Sequence, residues 1–468
     1  MGAPEVQALV VGAGAAGLGA AHALAARGVE TLVLEAGPQP GGVIQSGRAG
    51  GYLFERGPNT MTVKAPVLEL VRRLGLEARL VPADPTAGLR FLFHGGRLEP
   101  LPGGPWAALR TPLLSARGKL RVLAEPFARR GDATGESVAE FAGRRLGGEA
   151  AERLVGAFLT GVYAGDERQL GAEAVFPSLV AMEREHGSLA RGALASLGRG
   201  RRARGLRGIH STAEGLGGLA GGLARALGEG LALGSEVVFL APDAQGWRVG
   251  VAGPGGEREL RARAVVLAVP APAAAALLEA IDAPAARLLR GIAYAPVASV
   301  SLGVAPDDVD TLIEGFGFLV PRGADLRLLG CLFMSRLFPG RAPPGRELLT
   351  CLVGGTRHPA ALDAPDDALL EGLRRDLERT LGLRGEPATV AVSRWPRAVP
   401  QPGRDHPRRV AALRARAAAL PTLALAGAHL DGVAVADALA SGLQAGRDLP
   451  VGGDVPAKLQ GGTVLGQD

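Results

Sequence analysis

The sequence predicts an α/β fold built on a Rossmann-like dinucleotide-binding unit, and three observations predict it. An apolar, β-branched run from Val6 to Val11 reads as a buried parallel strand. It passes at once into Gly12-x-Gly14-x-x-Gly17, and the Ala-rich stretch Ala15 to Ala26 that follows reads as a helix ended by Arg27-Gly28. A second strand, Glu30 to Leu34, ends on the acidic Glu35.

Each element has a physical reason. Gly12 permits the tight turn, Gly14 lets the backbone approach a pyrophosphate, and Gly17 lets the helix pack closely on the strand. The first helical turn, with Ala15 and Ala16, offers free N–H groups and the positive end of a dipole to a diphosphate. Glu35, next to Ala36, is placed to accept hydrogen bonds from ribose hydroxyls. In a chain with 71 glycines a lone G-x-G-x-x-G can be an ordinary turn. Here the strand before, the helix after and the acid at the second strand's end agree.

The chain has 468 residues, 47% hydrophobic and 21% charged, enough for two or three domains with cores. A net charge of +6 is modest at this length and gives no argument for nucleic acid as a partner. Cys331 and Cys351 are far apart and form no C-x-x-C, so a reduced protein without a structural metal or disulfide framework is expected. The amino terminus starts directly with the first strand, and no secretory leader is expected. No apolar run reaches the roughly 18 residues of a membrane-spanning helix.

Further along, Tyr52 to Thr60 reads as a short strand running into a turn, Pro66 to Leu74 as a helix, and Gly88 to Pro102 as a hairpin turning at Gly95-Gly96. On its first strand Arg90, Leu92 and His94 share one face and Phe91 and Phe93 the other. Between 104 and 130, Trp106, Leu109, Leu113, Leu114, Leu120, Leu123 and Phe127 alternate with Arg110, Arg117, Lys119, Arg121, Arg129 and Arg130. Short helices of this kind fit either a surface resting on anionic lipid or a core face backed by solvated charge. Residues 190–208, rich in Gly and Arg, read as an exposed loop. A helix to Leu227, strands Glu236 to Leu240 and Ala264 to Val269, and a hairpin through Gly246-Trp247 follow. Longer strands (Ser299 to Val304, Phe316 to Pro321, Leu348 to Val353) and an amphipathic helix from Asp366 to Leu381 read as a substrate-binding domain built on a sheet. The tail returns to strand, turn and helix: Leu423 to Ala428, His429 to Ala434, Val435 to Ala445; residues 451–468 lack periodicity and are expected to be disordered.

The opening fingerprint, Gly57-Pro58-Asn59, the stretch Trp395 to Gln401, and Gly427…Asp431-Gly432-Val433…Ser441-Gly442 together resemble the flavin-containing amine oxidase and desaturase superfamily. Within it the resemblance is nearest the protoporphyrinogen oxidases, on Gly88 to Gly96, on Gly161-Val162-Tyr163-Ala164-Gly165-Asp166 with Phe176-Pro177-Ser178-Leu179, and on Gly315 to Pro321. It spans residues from about 6 to 446. The fold implied is α/β, with a Rossmann-like FAD-binding domain, an inserted sheet-based substrate domain and a helical membrane-facing domain. The parts would be 1–83, 205–283 and 395–450 for FAD, 90–190 for the membrane-facing helices and 284–394 for substrate.

What the resemblance implies for the site follows residue by residue. Gly41-Gly42 become a second glycine pair against the FAD diphosphate; Gly57, Pro58, Asn59, Thr60, Val237, Ala268 and Trp395 join the cofactor site. The closing turn places Gly427, Gly432, Val433 and Val435 near the flavin ring, where a helix N-terminus would stabilise charge on the reduced form. Without a Cys in that turn, FAD is expected to be non-covalent. For a flat, apolar tetrapyrrole with propionates, Arg90 would pair a carboxylate, Phe316, Leu319 and Leu352 would form walls, and Gly161 would turn a backbone carbonyl to the ring. Taken alone, Leu319 and Leu352 read as ordinary core leucines. His429 is expected to pack or bond to backbone, and no catalytic side chain is identified, since the flavin carries the chemistry.

The resemblance implies oxidation of protoporphyrinogen IX to protoporphyrin IX in three successive two-electron steps, with oxygen as acceptor. It also implies peripheral attachment to the inner face of the cell membrane, and a homodimer is left open. Coproporphyrinogen III, which carries extra carboxylates, is the alternative substrate; beyond Arg90 and Arg97 no further cations for it stand out. An amine substrate would want an aromatic cage, hard to build from three Tyr and three Trp. Departures exist as well. Gln39-Pro40 precede Gly41-Gly42 where amine oxidases carry an arginine, and Pro402 follows Gln401 where an aromatic is usual.

Overall fold

The computed structural model describes residues 5–198, 205–311, 314–420 and 422–451. Two seven-stranded sheets organise them. In the first, Glu5–Val11 lies between Thr31–Leu34 and Gly256–Leu267, parallel to both, with Leu231–Ala232 and Leu423–Leu425 extending the parallel part. Gly246–Gly253 and Glu236–Asp243 add an antiparallel extension. Ala8, Leu9, Val10, Val265 and Val266 are fully buried, as continuous apolar runs require when helices cover both faces of a sheet.

In the second sheet the strand order is Ala388–Pro400, Tyr294–Val304, Glu347–Gly354, Leu328–Phe333, Gly317–Leu319, Arg90–His94, Arg97–Pro100. All pairs are antiparallel except Gly317–Leu319 with Arg90–His94, which places Arg90 opposite Gly317 and Leu92 opposite Leu319. One face carries Phe318, Cys331, Cys351 and Val300 and packs on the helix Asp366–Leu381 through Leu369, Leu373 and Leu377. That helix begins and ends where its periodicity predicted. The two cysteines are reduced cross-strand neighbours in this core.

Between the sheets, a buried ion pair ties the two halves. Arg341 Nη1 donates to Glu55 Oε1 at 2.8 Å and Nη2 donates to Ser211 Oγ at 2.6 Å, while Glu55 also accepts from Leu216 N at 3.0 Å.

Residues 190–208 depart from expectation. Leu189–Gly198 is a helix, and 199–204 lie outside the described residues. The reason is tertiary: Glu125, far away in sequence, accepts from Leu189 N at 2.8 Å and Ala190 N at 3.1 Å, satisfying the free amides of the helix start. The expected disorder of 451–468 concerns a stretch that, from 452 onward, also lies outside the described residues.

The same Glu125 pairs with Arg145, a fully buried guanidinium that also reaches Glu183 at 3.3 Å. Burial alone would raise the Glu125 carboxyl, but hydrogen bonds from Ser188, Leu189 N, Ala190 N and Arg145 outweigh it and hold it below its ordinary 4.5. Glu183, opposed by burial and held by Arg144 and Gly131 N, is lowered likewise. Lowered carboxyls contribute stability above their unfolded values and lose it as pH falls through the folded ones. Amide exchange in residues 116–198 is therefore expected to accelerate on acidification below about pH 4.5, ahead of the parallel sheet. Equal protection of both regions at that pH would contradict this.

Candidate functional site

The strand–glycine–helix unit behaves as its residue types require. A Cβ on Gly17 would stand 1.7 Å from the Gly12 carbonyl oxygen, so the helix Ala15–Ala25 approaches the strand as only glycine allows. A Cβ on Gly14 would meet nothing within 4 Å, and no side chain caps this helix start, so amides of its first turn face open space. Gly41 pairs with Gly14 in an isolated parallel bridge, Gly41 N donates to Ala13 O at 2.8 Å, and Gly42 lies against Gly14 Cα. The two glycine pairs thus border one backbone cradle.

Glu35 performs a structural task besides any contact with a ligand. Its Oε2 accepts from Ala13 N at 2.7 Å and its Oε1 from Gly37 N at 2.8 Å. The carboxylate holds the loop Ala13–Gly14 against the second strand while staying partly exposed. Ser235 N donates to Glu35 O, which brings Val237 to this end; Ala268 N donates to Val11 O and closes the floor below Gly12. Ala36 is exposed at the rim.

The carboxyl-terminal helix Val435–Asp448 packs in parallel on Ala15–Ala25. A Cβ on Gly442 would lie 1.7 Å from Ala16 O, and one on Gly446 would lie 2.4 Å from Ala20 O. At 1.5 Å rise per residue, the start of the second helix at Val435 projects roughly 9 Å beyond the start of the first. Two positive helix ends, neither capped by a side chain, are therefore staggered in one direction. That stagger suits a ligand with a diphosphate at the first end and an electron-accepting ring near the second.

The turn leading to Val435 is fixed by Ser441, whose Oγ accepts from Gly427 N at 3.0 Å and donates to Asp431 Oδ2 at 2.5 Å. Gly432 sits in the left-handed region at φ 131°, and Val433 packs beside Tyr163, Leu159 and Val138. Gly57 has backbone room for nothing larger, because a Cβ would meet Val43 O at 2.0 Å. The buried Asn59 donates to Gly57 O at 3.3 Å, yet its Oδ1 has no partner among the described residues. Trp395 Nε1 donates to Arg56 O at 2.6 Å, tying the strand Ala388–Pro400 to the residue before Gly57-Pro58-Asn59-Thr60. An orphaned buried amide oxygen, an open Gly14 cradle and two free helix ends fit a bound flavin dinucleotide.

His429 is packed, as expected, but bonds to no backbone through Nε2. Burial lowers it from 6.5 to about 4, with His406 adding repulsion, so it is neutral at ordinary pH. Its lowered value means that stability is complete above pH 6.5 and declines as pH falls toward 4, where the unfolded chain takes up a proton that the fold refuses. A pH–rate profile is accordingly expected to show no inflection from His429 near 6.5, and replacing it by Gln is expected to leave the profile's shape unchanged.

The second face of the mixed sheet carries the other predicted residues. Leu92, Leu319, Gly330 and Leu352 are register partners in one row, so their side chains share that face. The helix Gly156–Tyr163 lies on it, with Gly161 so close that a Cβ would stand 2.6 Å from Leu319 Cδ2. Leu352 packs with Ala164, Ala295 and Leu329. Arg90, at the exposed start of its strand, stacks its guanidinium 4.6 Å above the Phe316 ring and has no carboxylate partner among the described residues. Arg97, the other cation considered from sequence, pairs with Glu99 on its own strand while its side chain stays largely exposed.

Sequence reasoning missed three residues here. Gln401 Nε2 donates to Tyr163 O at 2.8 Å, Thr356 N donates to Ala164 O at 2.8 Å, and Arg357 donates to Val320 O at 2.9 Å and to Thr160 Oγ1. Together they hold the helix that carries Gly161 and its left-handed end at Ala164, φ 46°. Only Gln401 lay in a stretch the sequence had marked; Thr356 and Arg357 follow a strand with no motif around them.

Comparison with known proteins bears on both halves. The family described as flavin containing amine oxidoreductase matches residues 15–449. A chloroplastic protoporphyrinogen oxidase of Nicotiana tabacum is 31% identical over 421 residues, covering 85% of this chain and 77% of that protein. A coproporphyrinogen III oxidase of Bacillus subtilis is 29% identical over 472 residues, covering 94% and 97%. A solved structure from Exiguobacterium sp. 255-15, provisionally named a protoporphyrinogen oxidase, superposes with a TM-score of 0.79 at 26% identity, covering 95% of this chain and 98% of that one.

Proposed function

The chain belongs to the flavin containing amine oxidoreductase family, and on that premise we propose that it oxidises protoporphyrinogen IX to protoporphyrin IX with oxygen as electron acceptor. It is an FAD-dependent oxidoreductase. Bound FAD would supply the hydride-accepting chemistry. The chain's own residues bind and orient: the Gly14 and Gly41 cradle takes the diphosphate, the Val435 helix end favours negative charge on the reduced ring, and Asn59 Oδ1 is free to accept a hydrogen bond.

The observation that carries the substrate reading is the partly exposed pair Leu319 and Leu352, on a sheet row that ends beside Arg90, a cation without a carboxylate partner among the described residues. A flat apolar macrocycle needs such a wall, and a propionate needs such a cation. The similarity to the coproporphyrinogen III oxidase, nearly complete over both chains, supports that porphyrinogen as a second substrate. Anaerobic mixing with each porphyrinogen is expected to bleach the flavin; bleaching by a monoamine and not by porphyrinogens would overturn the reading. Replacing Arg90 by Ala is expected to raise KM about tenfold while the flavin content holds, and unchanged kinetics would remove Arg90 from the site.

The flavin is proposed to be non-covalent, so acid precipitation should leave a colourless pellet. Attachment to the cytoplasmic face of a membrane rests on Leu120, Leu123 and Phe127, 67%, 59% and 86% exposed, among Arg117, Lys119 and Arg121. No helix of the described residues is long and apolar enough to cross a membrane. Phe127→Asp is expected to release the protein from phosphatidylglycerol vesicles, and retention would contradict the attachment. A homodimer is proposed with it, to be read by light scattering.

A further inference from the structure

Arg357 follows the strand Glu347–Gly354, on a loop beside the end of the helix Gly156–Tyr163. Its Nη1 donates to Val320 O at 2.9 Å and its Nη2 donates to Thr160 Oγ1. Val320 is the neighbour of Leu319, and Thr160 is the neighbour of Gly161, so the guanidinium sits where the proposed apolar wall and its covering helix meet. It is half-buried, and its Nε is fully buried with no partner. Nearby Arg322 is neutralised by Asp166 at 2.9 Å and Glu167 at 3.2 Å, whereas Arg357 has no carboxylate within 4 Å among the described residues.

A half-buried guanidinium with an idle donor and no carboxylate in direct contact, Asp166 and Glu167 acting on it only through space, gains from an anion brought to it. Burial, with Arg322 as the next cause and Glu167 and Asp166 opposing, lowers Arg357 to about 10, so it still carries its charge at neutral pH. Its place relative to Arg90 matters more. Arg90 stands opposite Gly317, and the Val320 carbonyl lies three residues further along the same strand, about 10 Å away at strand rise. Two cations without a carboxylate in direct contact among the described residues therefore meet the backbone on either side of Leu319, at Gly317 and Val320.

We propose that Arg357 is a second carboxylate-binding side chain of the porphyrinogen site, at the edge opposite Arg90, which admits coproporphyrinogen III alongside protoporphyrinogen IX. Protoporphyrinogen IX carries its two propionates at one edge. Coproporphyrinogen III carries propionates at both, and the second pair is what Arg357 would meet. The inference rests on the porphyrinogen reading above and deepens it.

The test compares Arg357→Gln with Thr160→Val, both assayed with both porphyrinogens, with bound flavin measured first. Thr160→Val removes the hydrogen bond to the helix but keeps the cation. Arg357→Gln is expected to raise KM for coproporphyrinogen III about tenfold or more beyond any rise in KM for protoporphyrinogen IX; Thr160→Val, which loosens the same helix but keeps the cation, should shift both KM values alike. Arg357→Lys, should Arg357→Gln not fold, is expected to give an intermediate KM for coproporphyrinogen III alone. Equal effects on both substrates, no effect, or Thr160→Val reproducing Arg357→Gln would make Arg357 a structural tether and overturn the proposal. If the unmutated protein oxidises neither porphyrinogen, the function reading fails and this inference falls with it, an outcome separate from a failure in the variants alone.

Discussion

Replacing Gly442 by valine is expected to yield a chain that purifies without flavin. The Cβ of any larger residue would lie 1.7 Å from Ala16 O, a backbone atom in the first turn of Ala15–Ala25. Overpacking a core costs about 1–3 kcal/mol when side chains can move aside. Here the obstacle is main chain, so the two helices must separate. Their starts, at Gly14 and Val435, are the two positive ends assigned to the diphosphate and the ring, and separation moves one relative to the other. Flavin absorbance per chain after gel filtration, together with the melting temperature with and without added FAD, measures the effect. A full complement of flavin with an unchanged Tm would show that the two ends need no fixed stagger.

Arg341→Ala is expected to destabilise the protein by about 3–5 kcal/mol, because it leaves the buried Glu55 carboxylate without its charge partner. The pH dependence separates this from mere loss of packing. Burial already raises Glu55, and Arg341 is the main influence lowering it. A raised carboxyl contributes stability below its unfolded value and loses it as pH rises through the folded one. Removing Arg341 raises Glu55 further. The deficit of the variant should therefore be small in acid and grow toward neutral pH, as seen by urea unfolding across that range. A deficit independent of pH would assign the effect to lost packing around Phe338, over which the guanidinium lies at 5.3 Å.

The nucleotide half was legible because its information is local. Gly12, Gly14 and Gly17 follow an apolar strand and open a helix; in the structure Gly12 and Gly17 meet close backbone neighbours and Gly14 fronts open space. The helix Asp366–Leu381 was equally readable, since its apolar period faces one sheet. The start of the helix Leu189–Gly198 was not, because Glu125 satisfies its amides from a distant part of the chain. Arg97 looked as free as Arg90 in sequence, and only the strand's geometry sets Glu99 beside the one and Phe316 beside the other.

Sequence alone determined that a glycine turn of the kind suited to a dinucleotide stands at a helix start, and that a second strand–turn–helix unit follows near residue 423. Those features depend on residues a few positions apart, which backbone sterics and helix periodicity tie together. Tertiary structure decided the rest: that Gly442 brings the closing helix onto the opening one, staggering two positive ends, and that Arg90 is set opposite Gly317 while Arg357 reaches the Val320 carbonyl. Residues that distant in the chain are brought together only by sheet register and close helix packing, and neither leaves a local pattern.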